Sequence, residues 1–70
     1  MLNKMLGEDI KQRRQLLGIT QTDLSELSGV GLRTIVNLEN GKGNPTLKVL
    51  STIAEALGME IKLEVKKLNL

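Results

Sequence analysis

Cysteine, histidine and all of the aromatic residues Phe, Tyr and Trp are missing from this 70-residue chain, and proline occurs once. Without cysteine no disulfide can form, and without cysteine or histidine the common zinc-ligand sets are out of reach. The missing histidine also removes the most frequent general base. The missing aromatics remove the stacking platform on which single-stranded nucleic acid is usually held. No apolar run approaches the roughly 20 residues of a membrane span, and the N-terminus lacks a signal peptide's apolar core, so a cytoplasmic protein is expected. No nucleophile sits with a base, and Gly41-Lys42-Gly43 is too short for a phosphate-binding loop. An enzyme, a cofactor and a metal are therefore not expected.

Seventy residues make one domain, and a single core of this size supplies only about 3–5 kcal/mol of net stability unless something is added. With disulfides and zinc excluded, association with a second copy is the most available source of further burial. The formal net charge is +2, from ten basic and eight acidic side chains. Residues 1–40 balance five basic against five acidic groups, and residues 41–70 carry five against three. A polyanionic partner would have to be met by charge arranged in three dimensions rather than in blocks.

The chain is organised around Gln21 to Asn40, QTDLSELSGVGLRTIVNLEN. Leu24 and Leu27, then Val30, then Ile35 and Leu38 keep helical spacing on either side of a break at Gly29 and Gly31, which predicts two short helices and a tight turn. Gly29 can take the left-handed conformation that ends a helix, and Ser25 is small where the two helices cross. Thr20 and Asp23 form a capping box for the first of the pair. These features alone fit a DNA-reading helix-turn-helix or a plain helical corner equally well.

The order of residues goes further. Thr20-Gln21, Leu24, Ser25, Gly29, Val30, Thr34-Ile35 and Leu38-Glu39-Asn40-Gly41, with Pro45, Leu47, Ala54, Leu57 and Gly58 downstream, resemble the Xre/Cro/CI family of phage and bacterial repressors. Such repressors usually carry Ala in place of Ser25 and an apolar residue in place of Ser28, so a looser second helix is expected. The resemblance implies that Arg14 pairs with Glu39. It also implies that Gln21, Thr34, Asn40 and Lys42 meet DNA phosphates. Double-stranded DNA with a palindromic operator is the implied partner.

A helix from about Leu32 to Glu39 that buries Ile35 and Leu38 leaves Leu32, Arg33, Val36 and Asn37 free to read bases. Arg33 can pair bidentately with guanine, Asn37 suits adenine, and Leu32 and Val36 suit thymine methyls. Upstream, a helix starting between Asn3 and Gly7 should place Glu8 and Asp9 near its positive end and run to Leu17 before Gly18, with Leu6, Ile10 and Leu17 inward. Arg13 reads as a solvated charge whose alkyl stem covers the core edge. Downstream, Thr46 caps a fourth helix from about Leu47 to Leu57. Leu47, Leu50, Ala54 and Leu57 form one stripe of it, with Val49, Ile53 and Ala56 beside them, a surface broad enough to be covered from two directions.

From Met59 to Lys66 apolar and charged residues alternate strictly, the pattern of a half-buried strand. This ending resembles the HipB-like antitoxin branch. A lone strand needs a partner, and a second copy would pair antiparallel about a twofold axis. With Leu63 on the axis, Lys62 faces Glu64, Glu60 faces Lys66 and Ile61 faces Val65; centres at Lys62 or Glu64 oppose like charges, and centres at Ile61 or Val65 keep opposite charges but shorten the ladder.

The expected protein is mostly α: a four-helix lambda-repressor-like DNA-binding domain over residues 1–58, then a dimerisation strand and tail over 59–70, with Met59, Ile61, Leu63 and Val65 on its apolar face. Its expected function is that of a homodimeric, autoregulatory, nucleoid-associated repressor. The resemblance adds a possible toxin partner, a HipA-like kinase. The alternative is a protein-interaction module that keeps the fold without binding DNA.

Overall fold

A computed structural model describes residues 2–65, with side chains from Leu6 onward. Four helices follow one another: α1 (Leu2–Leu16), α2 (Gln21–Ser28), α3 (Leu32–Glu39) and α4 (Leu47–Ala56). Helix α3 packs against both α1 and α2, and α2 packs against α4. The core sits where they meet. Ile10 from α1, Leu24 from α2, Ile35 and Leu38 from α3, and Ile53 with Leu57 at the end of α4 form one cluster, bordered by Ile19, Val30, Val49, Leu50 and Ala56. Isoleucine and leucine fill this space with few rotamers to lose, which suits a core without rings.

The local signals act as the sequence suggests. The Thr20 side chain accepts from the Asp23 amide at 3.0 Å, and the Thr20 amide donates to the Asp23 carboxylate at 2.9 Å, completing the capping box. Thr46 accepts from the Val49 amide at 3.1 Å and opens α4. Gly29 closes α2 with φ at 74°, a region that costs glycine little and side-chain-bearing residues more.

Several expectations need correction. Because α1 begins at Leu2, Glu8 and Asp9 lie beyond its first turn, which holds no acidic residue, so they gain little from the helix dipole. Leu17 lies past the last turn and is 45% exposed rather than inward. Leu27 and Leu47 are also largely exposed, so the covered face of α4 is centred on Ile53, Ala54 and Leu57. The expected looseness of α2 is replaced by two hydroxyl clamps. Ser25 donates to the Val30 carbonyl at 2.6 Å, while Ser28 donates to the Leu24 carbonyl at 2.7 Å and accepts from the Val30 amide at 3.2 Å. The two serines bond the turn from both sides.

The C-terminal strand is the larger departure. Met59, Ile61, Leu63 and Val65 belong to no helix and to no strand among the described residues. A strand exists only through the neighbour it bonds to, and the described residues of one chain supply none here. Lys66 to Leu70 lie outside the described residues.

Gly7 sets the approach of α1 to α3. A Cβ placed there would collide with the Leu38 carbonyl oxygen and lie 3.0 Å from its carbon, both backbone atoms that cannot swing away. Glycine is normally a poor helix residue, and here it is required by proximity. Gly7→Ala is expected to cost about 1–3 kcal/mol through overpacking, despite alanine's better helix propensity. Chemical denaturation checks this, and equal or greater stability of the variant would contradict the close approach.

Candidate nucleic-acid interface

The interface is built on one buried charge pair. Arg14 Nε donates to Glu39 Oε2 at 2.7 Å and Nη2 to Oε1 at 2.9 Å, a bidentate fork between α1 and the last residue of α3. The Glu39 side chain is only 1% exposed. Arg14 Nη1 donates further to the Ile19 carbonyl at 2.9 Å, tying in the link between α1 and α2. The hydrogen bond that Arg14 donates to Glu39 raises the Arg14 pKa above its ordinary value, against the opposing effect of burial. The expected structural pair is thus present, and it fixes the far end of α3.

Gln21 joins the same carboxylate. Its Nε2 donates to Glu39 Oε1 at 3.0 Å, so the side chain expected on a phosphate is engaged inside the protein. This bond links the first residue of α2 to the last of α3. Arg13 also has an engagement that sequence reasoning missed: its Nε donates to the Leu57 carbonyl at 2.9 Å, capping the end of α4 with positive charge. Arginine beside arginine reads from sequence as surface charge, and only the folded arrangement gives each a separate target, the end of α3 for Arg14 and the end of α4 for Arg13.

With both ends of the motif held, the outer face of α3 is left free. Leu32 and Arg33 are exposed and Val36 and Asn37 half-buried, and the four line one open depression. Gly31 offers no side-chain cap, so no side chain covers the first amides of the helix. Asn37 is shared with a second cleft, which also takes in Thr34, Lys42, Asn44 and Thr46. Three residues assigned to bases or phosphates, Asn37, Thr34 and Lys42, therefore converge there. Asn40 is exposed at the end of α3 but does not line that cleft. Asn44 and Thr46 read in sequence only as turn and cap, and nothing local in it signals that they border Lys42. The loop is held by the Lys42 amide, which donates to the Asn37 carbonyl at 2.8 Å.

Among the described residues there is no cluster of acidic groups able to hold a metal ion, and no helix is long and apolar enough to cross a membrane.

Residues 10–63 match the helix-turn-helix family HTH_3. Over 51 residues the chain is 45% identical to an uncharacterized HTH-type transcriptional regulator of Methanothermobacter thermautotrophicus, covering 73% of this chain and 74% of the relative. A regulator of the same description from Sinorhizobium fredii is 33% identical over 58 residues, 83% of this chain and 75% of the relative. One from Haemophilus influenzae is 36% identical over 62 residues, covering 89% and 63%.

Two measurements follow from this geometry. Arg14→Ala leaves the Glu39 carboxylate buried without its cation, a loss of about 3–5 kcal/mol that equals most of the stability expected for so small a core. The variant should be largely unfolded by circular dichroism, and replacing both partners with apolar residues of similar volume should restore folding; a wild-type melting temperature for Arg14→Ala would refute this. The second measurement concerns pH. The hydrogen bond from the Thr20 amide and, after it, the neighbouring Thr20 side chain hold the Asp23 pKa below its ordinary 3.8. Stabilisation by this group is present above that value and disappears as pH falls through the lowered one. Below about pH 4 the wild type should lose stability more steeply than Asp23→Asn, and parallel acid melting curves would contradict it.

Proposed function

The chain belongs to the helix-turn-helix family HTH_3, and from that membership and the free outer face of α3 we propose that it is a sequence-specific double-stranded DNA-binding transcriptional regulator. The observation that carries the reading is the contrast within α3. Its inner residues Ile35, Leu38 and Glu39 are buried, while Leu32, Arg33, Val36 and Asn37 share one accessible surface on a helix short enough to enter a major groove. Arg33 is the principal base reader, suited to guanine, and Asn37 reads adenine or bridges to the backbone. Thr34, Asn40 and Lys42 meet phosphates and set register without reading sequence. At Gln21 the backbone amide is the group offered to a phosphate, since the side-chain amide is engaged by Glu39.

The regulator acts as a homodimer on a palindromic operator, joined through Met59, Ile61, Leu63 and Val65. Its two α3 helices meet half-sites about 34 Å apart. Bound there it excludes polymerase, so repression, including that of its own operon, is the proposed outcome. An antitoxin role beside a HipA-like toxin is an extension supported by the likeness of the tail to the HipB-like branch.

The test is selection of genomic fragments by the purified protein, including the DNA upstream of its own gene, at several salt concentrations. A palindromic footprint whose retention falls steeply with salt is expected. Binding of a protein instead of DNA, insensitive to salt, would favour an interaction module. Arg33→Ala should cost about 1–3 kcal/mol in operator binding and relax the preference at one position. An unchanged base preference in the same selection would remove Arg33 from that role.

A further inference from the structure

The tail leaves the helical body unevenly. Met59 and Ile61 are 36% and 42% exposed, whereas Leu63 and Val65 are 101% and 98% exposed. The first two line a mostly apolar groove with Leu6 and Ile10 of α1 and Leu50 and Ala54 of α4, which Asp9, Glu60 and Lys62 also border. The apolar series therefore begins on its own domain and continues past it, with two aliphatic side chains wholly in solvent.

Val65 cannot fill this groove from its own chain without a reversal. In an extended segment residues 61 and 65 are about 13 Å apart, and no glycine or proline between them supplies a turn. A second copy running antiparallel resolves this. With Leu63 on the twofold axis, Val65 of the second copy stands directly opposite Ile61, within about 5 Å at Cβ, at the mouth of the groove that Ile61 lines. Charge is compatible with this register, which also gives a longer ladder than centres at Ile61 or Val65. Lys62 pairs with Glu60 along its own chain at 3.2 Å, and the second copy brings Glu64 opposite Lys62. Moving the axis to Lys62 or Glu64 would keep the apolar side chains together but oppose like charges.

We infer that the groove between α1, α4 and Met59-Ile61 is a docking site for Val65 of a second copy, filled reciprocally so that each groove is completed by the other chain. This rests on the dimeric reading proposed above and adds to it a register and an occupant. The dimer is thereby more than two tails zipped together, because each tail is pinned to the opposite helical body.

The experiment uses the whole chain. Dimers are formed by mixing isotopically labelled and unlabelled protein, and intermolecular contacts are read by isotope-filtered nuclear Overhauser spectroscopy. Cross-peaks from the Val65 methyls of one chain to Ile61, Leu50 or Ile10 of the other are expected. Sedimentation of Val65→Asp, an exposed position whose change leaves the core of each chain intact, should show dimer dissociation strengthened about tenfold or more. A dimer in which Val65 contacts only its own chain, or nothing, overturns the groove assignment, as does a dimer unaffected by Val65→Asp. A wild-type chain that sediments as a monomer at the concentrations used for spectroscopy also overturns it. Genomic-fragment selection run in parallel separates the two ideas: selective DNA binding by such a monomer rejects the docking site and keeps the regulator.

Discussion

The Arg14–Glu39 pair is the interaction on which the arrangement depends. A carboxylate this deeply buried is tolerable only if its lone pairs are met, and it is met three times, twice by Arg14 and once by Gln21. Apolar residues in those places would bury just as much surface without specifying an angle. The fork geometry of guanidinium on carboxylate is directional. It fixes where α3 lies relative to α1, and Gln21 fixes the start of α2 against the same point. No buried side-chain polar atom among the described residues is left without a partner, so the network closes on itself.

That closure separates the two faces of α3. Its last residue is held at the centre of the network, and Ile35 and Leu38 are in the core, so no freedom remains in how the helix is rotated. Leu32, Arg33, Val36 and Asn37 are then presented together as a consequence of what the opposite side must bury. Preorganisation of this kind limits the conformational entropy lost when a side chain engages a base edge. The same constraint explains why an aliphatic residue such as Leu32 stays exposed: Ile35 and Leu38 take the inward positions of the helix.

Much of this was legible in sequence because the signals are local. Thr20 with Asp23, Thr46 with Val49, and the glycines at helix ends act within a few residues of themselves, and short-range patterns report them directly. The Arg14–Glu39 pair spans 25 positions, and likeness to repressors implies it where periodicity does not. What stayed hidden are contacts created by packing. Gly7 looks like a defect in a helix until α3 is laid across it. Ser25 and Ser28 look like weak substitutions until the turn they clamp is built, and Gln21 looks like a phosphate ligand until Glu39 is placed beside it. The tail differs again, since alternation of apolar and charged residues states what a strand would bury without stating what it would pair with.

Arg13 and Arg14 are neighbours on one helix, yet they secure opposite ends of the molecule. Arg14 grips the end of α3, while Arg13 grips the carbonyl of Leu57, two residues before the tail departs. One dipeptide therefore gauges the distance between α3 and the point of departure of the tail. Whatever joins two such molecules at their tails inherits that gauge twice, once on each side of the axis. A change at Arg13, which leaves the buried Arg14–Glu39 pair in place, would consequently alter reach before it altered chemistry, keeping α3 intact and set to the wrong span.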